Sequence, residues 1–356
     1  MSENQKLAFM ITAEGSRGDK AAKKIMELAR KLEAEGARGN VLELATNDFI
    51  ATALEQIDPA FQGIYQQHNK DSLFAGLVRR VPAPRGQIKI GDLYPVGKMR
   101  KFDGKVVVNG WESAGYTLTP ELMEWTGGID NNSMAKLDSI FDQGFQKSLA
   151  MAADLPIGAE DEALAAMLEA NTAAHIGATS AFFSATNPIP GTGKTFSNRV
   201  ISPITTVAEV RTAVRKMQNA LVKQLSVQGI RKSVDYIRQN AVLVCHPDKL
   251  ELVQDAFEPG NMTNDKGVRL NDKSALTPWD IRYNPYTMTS SKLWLFMKGD
   301  YAPLVVAVQE EPNMITTIGV PGNLQKILHN GQLAQVRYAF KEGYGSPFAA
   351  VECAAS

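Results

Sequence analysis

"GQIKIGDLYPVGKMRKFDGKVVVNGWESAGYTLTPELMEWTGGID", residues 86 to 130, differs in character from everything before it. Turn pairs such as Asp103-Gly104 and Asn109-Gly110 punctuate short runs of β-favouring residues. The pattern predicts a long, partly irregular hairpin arm. An isolated two-stranded hairpin is marginal in water, so the arm must lean either on its own domain or on another subunit. Between Gly97 and Lys105 it carries Lys98, Arg100, Lys101 and Lys105 against Asp103 alone. That local excess points to an acidic neighbour or to DNA, unless the lysines only protect a strand edge from pairing. Trp111, close by, is the candidate apolar anchor.

Working outward, the segments on either side read as helices. "DKAAKKIMELARKLEAEG" (19–36) is amphipathic: Asp19 caps it, Gly36 ends it, and Ala21, Ile25, Leu28 and Leu32 form a narrow apolar stripe. "NDFIATALEQIDPAFQGIYQQH" has helical spacing interrupted at Pro59. After the arm, Ser133 caps a helix whose Met134, Leu137, Phe141, Phe145, Leu149 and Ala152 share a face. A separate, shorter helix follows in "AEDEALAAMLEAN", where Glu160-Asp161-Glu162 read as first-turn carboxylates complementing the helix dipole. "TTVAEVRTAVRKMQNALVKQL" has a capping box in Thr206 and Glu209 and a seam of Val207, Val210, Val214, Met217 and Leu221. The remainder is α+β. "AVLVCHPDKLELVQDAF" is a buried strand followed by a helix with Pro247 in its first turn, "SKLWLFMKGDYAPLVVAVQ" two strands around Gly299-Asp300, and "QLAQVRYAFKEGYGSPFAAVE" a closing strand or strand pair.

The string GTGKT, residues 191–195, invites a nucleotide-binding reading. A phosphate-binding P-loop needs G-x-x-x-x-G-K-[ST] between a buried strand and a helix. Here Pro188 occupies the first glycine position, and Pro203 stops any helix begun at Thr195. The expectation is a surface loop.

Other chemistry is equally sparse. His68, His175, His246 and His329 fall in no metal-binding spacing, and Cys245 and Cys353 form neither a C-x-x-C pair nor a disulfide framework. Ser346 in "GYGSP" has the wrong spacing for a nucleophile elbow. No catalytic residue, cofactor or metal is expected, and the chain is not read as an enzyme. Lys+Arg and Asp+Glu balance at 38 each, which argues against a dedicated nucleic-acid binder. "MSENQKLAFMITAEG" is too short of apolar residues for a signal peptide, and no run approaches a membrane span. A soluble, intracellular product is expected.

The order of these pieces, with "AFQGIYQQ", "FFSATNP", "APLVVAVQEEPNMIT" and "VRYAFKEGYGSPFAAVE" around the arm, resembles the major capsid proteins of tailed phages, of the Hong Kong 97 type. Within that group the similarity is to the major head subunit of Mu-like phages and prophages, from about residue 46 to the C-terminus. The resemblance implies an α+β shell subunit with an N-terminal helical arm (1–70). Residues 71–204 would hold the extended loop (about 86–129) and the spine helix (about 133–153) of the peripheral domain. An axial domain (205–310) and a return to the peripheral domain (311–356) would follow.

Its implied partners are other copies of itself in hexamers and pentamers, decoration, scaffolding and portal proteins, and packaged DNA bound without sequence specificity; no membrane is involved. Its implied location is the virion, assembled in the host bacterial cytoplasm. In such shells the extended loop lies over a neighbouring subunit, which makes Lys98, Arg100, Lys101, Lys105 and Trp111 candidate inter-subunit contacts. The Ile25/Leu28/Leu32 stripe is expected to pack against shell protein and to stay in the mature subunit. An encapsulin-like compartment with protein cargo is the alternative, and a P-loop ATPase a remote one.

Overall fold

The computed structural model describes residues 57–95, 111–130, 143–172, 181–189, 194–227, 234–257, 280–287, 289–299, 302–317 and 331–355. The 19–36 segment and residues 96–110 at the tip of the arm lie outside them. In chain order the first elements are α1 (Ile57–His68), β1 (Val78–Pro82), β2 (Ile88–Pro95), β3 (Trp111–Leu118), β4 (Glu121–Asp130) and α2 (Gln143–Ala170). Three short strands follow, β5 (Asn187–Ile189), β6 (Lys194–Phe196) and β7 (Arg199–Ile201), then α3 (Val207–Val227) and α4 (Val234–Asn240). The last are β8 (Ala241–Cys245), α5 (Leu250–Phe257), β9 (Asp280–Tyr283), β10 (Lys292–Met297), β11 (Leu304–Thr317), β12 (Gly331–Tyr344) and β13 (Ala350–Ala354). Two compact units are distinguished, one within residues 1–70, 122–156 and 311–338, the other within 71–121, 157–310 and 339–356.

In the first unit, α1 carries Pro59 in its first turn rather than being interrupted by it. A first-turn amide has no intrahelical acceptor, so proline costs nothing there. Phe61 and Tyr65, one turn apart, are buried and stacked with ring centroids 6.3 Å apart. Asp58 accepts from the Met314 amide at 3.0 Å, Gln62 donates to the Pro312 carbonyl, and His68 Nδ1 lies 2.7 Å from Asp154. These contacts tie α1 to β11 and to the N-terminal half of α2.

The two helices expected after the arm are one. α2 runs through Pro156 without a break. An internal proline costs about 3 kcal/mol, which buried faces on both sides of it offset: Leu149, Ala152 and Ala153 before, Leu164, Ala165 and Leu168 after. Glu160-Asp161-Glu162 therefore sit in mid-helix and do not serve the helix dipole. In the second unit, Glu160 holds Arg80 in a bidentate pair at 2.8 and 3.0 Å, and Asp161 accepts from the Leu73 amide at 3.2 Å. Both carboxylates are buried. They fasten the segment leading into β1.

The second unit is built on a five-stranded mixed sheet of order β7-β13-β10-β8-β9. Its central strands are apolar without alternation because both faces are covered: every residue of β8 and all of β10 beyond Lys292 are buried. One face packs on α3 and α5, whose Val210, Val214, Met217, Leu221, Val253 and Phe257 join Leu243, Leu295 and Val351 in a single core. α3 starts where the sequence indicates. The Thr206 amide donates to Glu209 and the Glu209 amide to the Thr206 hydroxyl, closing the capping box. On the other face a row of register partners crosses the sheet from Arg199 through Glu352, Trp294 and Val244 to Arg282. Glu352 is fully buried there, with Arg199 and Lys292 each at 3.3 Å.

A further sheet has the order β1-β11-β12-β4. β4 is therefore not the return strand of the arm, although it lies inside the glycine-rich stretch read as one hairpin. Thr119-Pro120 ends β3, and the chain then joins a strand more than two hundred residues away in sequence.

Candidate functional site

The arm itself is an antiparallel hairpin. β2 and β3 pair from Ile88–Leu118 to Pro95–Trp111, the last described pair before the tip. At its base Ile90 and Leu118 are buried, with Ile88 and Tyr116 partly so, in a core shared with Val81, Ala83, Val305, Ala307 and Phe348. The Tyr116 hydroxyl donates to the Tyr344 carbonyl at 2.7 Å. Burial and that contact push its pKa well above the ordinary phenol range, desolvation contributing most. The arm thus leans on its own domain at the base. Directly beyond comes a cross-strand pair of glycines, Gly91 and Gly115. A Cβ on Gly115 would fall 2.5 Å from the Ile90 carbonyl oxygen. The two backbones approach too closely there for any side chain.

Of the candidate contact residues, Lys98, Arg100, Lys101 and Lys105 fall in the tip, and Ile25, Leu28 and Leu32 in the N-terminal segment, all outside the described residues. Trp111 opens β3 opposite Pro95. The structure brings none of the others to it.

GTGKT lies at a second, shorter hairpin of the same unit. β5 and β6 pair antiparallel, with Pro188 opposite Thr195 and Ile189 opposite Lys194. Lys194 and Thr195 thus belong to a strand, where a phosphate-binding loop would open a helix. Buried amides lock the base of this hairpin. Asn187 Nδ2 donates to the Phe182 carbonyl at 2.9 Å and to Asn198 Oδ1 at 2.7 Å. Asn198 Nδ2 donates to the same carbonyl at 2.9 Å, and its Oδ1 accepts from the Ser184 amide at 2.8 Å. Phe196 stacks on Phe348 at 4.4 Å in the core that also holds the arm's base. Neither asparagine stood out in the sequence, because asparagine near Gly and Pro reads as turn chemistry.

The reactive side chains are quiet. Cys245 and Cys353 are buried free thiols on one face of the sheet, each opposite Leu293 on either side of β10. Burial pushes Cys245 up to about 12 and Cys353 to about 11. Two strand spacings put them about 9.6 Å apart, too far for a disulfide. Among the described residues no group of His, Cys, Asp and Glu could hold a metal ion. Among them, too, no helix is long and apolar enough to cross a membrane.

No family model matches the chain, and no curated protein matches it in sequence. Solved structures do. Over 80% of its length the chain superposes on 88% of the capsid protein of cyanophage P-SCSP1u, with a TM-score of 0.53 at 15% identity. The mature capsid of bacteriophage PhiM1 matches at a TM-score of 0.52 and 10% identity, over 80% of this chain and 87% of that one. The capsid of a native GTA particle matches at 0.51 and 10%, over 80% and 90%. The chain has the phage capsid fold.

In a capsid fold the parts that act are surfaces. Large apolar side chains left exposed are Leu122, Met123 and Trp125 on β4, Met151 and Leu155 on α2, and Ile315 on β11 in the first unit, with Ile201, Tyr283 and Tyr286 in the second. β4 stands apart from the rest. It is a sheet edge, and every residue from Glu121 to Thr126 is exposed, on both faces of the strand. The sequence held one sign of this: "ELMEWTGGID" contains three acidic residues and no basic one.

Proposed function

We propose that this chain is a major capsid protein, the subunit of an icosahedral phage head around double-stranded DNA. The observation that carries this reading is the fold shared with three capsids over four fifths of the chain. The mechanism is geometric. One chain repeats the same contacts around hexamers and pentamers, and individually modest interfaces sum to a closed assembly. Equal numbers of acidic and basic residues suit a wall that packs without strong self-repulsion.

Several finer features belong to the same proposal. The hairpin of β2 and β3 serves as the extended loop over a neighbouring subunit. The N-terminal part of α2 is the spine helix of a peripheral domain, and the five-stranded sheet with α3 belongs to the axial domain. The sequence motifs around the arm favour the Mu-like head subunits. The 19–36 helix packs its Ile25/Leu28/Leu32 stripe on shell protein. Location in the virion, assembly in the host cytoplasm and work with scaffolding, decoration and portal proteins follow from the role.

Negative-stain microscopy of the overexpressed protein tests the reading. Shells, tubes or ring-shaped capsomers are expected; a monodisperse monomer at high concentration overturns it. Particles that protect DNA from nuclease separate a phage head from a compartment with protein cargo.

A further inference from the structure

The edge strand β4 is an unusual surface. Sheet edges in proteins that stay apart carry lysines, prolines or bulges that discourage pairing. β4 has no lysine and no proline; it presents Leu122, Met123 and Trp125, each nearly half exposed, in the space of four residues. Met123 and Trp125 share one face with Gly127, since side chains alternate along a strand. A Cβ on Gly127 would fall 2.3 Å from the Trp125 ring, so the bare glycine lets the indole lie flat along the strand. The result is an apolar plate of methionine and tryptophan, types enriched where proteins meet. Its charge is one-sided. Glu121, Glu124 and Asp130 against no basic residue give β4 a net charge of −3. Lys341 engages Glu121 at 3.2 Å. Glu124 has the neutral Thr126 hydroxyl, also at 3.2 Å.

The matching counterpart is in the same chain. The arm tip "GKMRKFDGK", 97–105, has four basic residues against one acidic, a net charge of +3, with Met99 and Phe102 interleaved. The tip of the same copy is carried away from β4. The last described pair, Pro95–Trp111, is seven residue steps from Ile88–Leu118, about 23 Å, whereas β4 begins three residues after Leu118. Resting on the capsid reading above, we infer that β4 is the docking strand for the arm tip of a second copy. Met99 and Phe102 meet the Met123/Trp125 plate, and Arg100 and Lys101 face Glu121 and Glu124.

Two single-cysteine variants test this, because both native cysteines are buried and silent. Phe102→Cys and Met123→Cys chains, co-expressed and oxidised, are expected to give a two-chain band on a non-reducing gel that neither variant gives alone. Charge reversal is the second arm of the test. Arg100→Glu with Lys101→Glu is expected to fold by circular dichroism yet sediment as monomers or loose capsomers. Adding Glu121→Lys and Glu124→Lys is expected to restore particles. Wild-type particles without the mixed band overturn the β4 docking and leave the capsid reading standing. Wild-type protein that forms no particles overturns both. Double-reversal chains that assemble at wild-type yield but lose nuclease-protected DNA overturn the docking in favour of DNA as the tip's partner.

Discussion

The two hairpins of the second unit grow from one core and differ in how far that core follows them. The short one, β5–β6, is held along its length: Ile189 and Phe196 are buried, and the Asn187–Asn198 amides close its base. The long one, β2–β3, is held only at its first few pairs, through Ile88, Ile90, Tyr116 and Leu118. Past the Gly91–Gly115 pair it is a ribbon that its own core does not reach. Buried amides fix a loop to its own chain, because an unmet buried polar group is costly. A ribbon left without core is available to another chain. The sequence made GTGKT look functional and the arm look merely irregular; anchoring reverses the two.

The harshest way to break this contrast is at Asn198. It is fully buried and serves the Phe182 carbonyl, the Ser184 amide and Asn187 together. Asn198→Leu strands all three, at about 1–3 kcal/mol for each unmet group after partial relaxation. We expect a loss near 4 kcal/mol in urea unfolding. A loss below about 1 kcal/mol would show that the amides do not lock the hairpin.

On the arm, Gly115→Ala sets a methyl 2.5 Å from the Ile90 carbonyl oxygen, a backbone atom that cannot swing away. The strands must splay, and about 2 kcal/mol is expected from such overpacking. If the arm acts mainly through another copy, assembly should suffer more than folding. A variant with wild-type particle yield but lowered thermal stability would place the arm's importance inside its own domain.

Asp161 tests the platform beneath both hairpins, because it fastens the segment entering β1. Burial is the main cause that raises its carboxyl from the ordinary 3.8 to about 6, against the lowering effect of the Leu73 amide. Between those values the folded chain keeps a proton that the unfolded chain has released. The group's contribution to stability is therefore full below pH 3.8 and is lost as pH rises through about 6. At pH 7 its ionised form costs the fold about 2 kcal/mol. Asp161→Asn keeps an acceptor for the Leu73 amide and removes the charge. It should raise stability at pH 7 by about 1–2 kcal/mol and flatten the slope between pH 4 and 7. An unchanged slope in chemical denaturation across that range would sink the assignment.

Much of this fold was legible from short-range pattern. The capping box of Thr206 and Glu209, the α3 seam and the β8–α5 unit all formed as their local sequence indicates, because caps and apolar periodicity act within a turn or two. Pro156 misled because the cost of an internal proline is local while the burial offsetting it comes from distant residues. β4 misled for the converse reason: nothing in "ELMEWTGGID" names a partner beyond residue 330. The candidate contacts Lys98, Arg100, Lys101 and Lys105 were found by charge alone, and the β4 surface that suits them became visible only through exposure and edge position. Asn187 and Asn198 show the same limit, since a turn-forming residue reveals its burial only when the chain has closed around it.

The smallest effect should come from the residue that first drew notice. Lys194 is paired opposite Ile189 in a three-residue strand, with Thr195 opposite Pro188. A phosphate-binding lysine stands at the head of a helix, where free amides and the helix dipole favour an anion. In a strand the amides are spent or splayed to alternate sides, and nothing converges on a phosphate. Pro188 contributes no amide at all. Lys194→Ala should therefore change unfolding free energy by no more than about 0.5 kcal/mol, the range for surface positions, and leave particle formation untouched. Calorimetry with ATP and magnesium should give no saturable heat for either protein. Micromolar binding by wild type that Lys194→Ala abolishes would return GTGKT to function, and would mean that β5–β6 rearranges on meeting nucleotide. The buried amide pair at its base is the reason to expect that it does not.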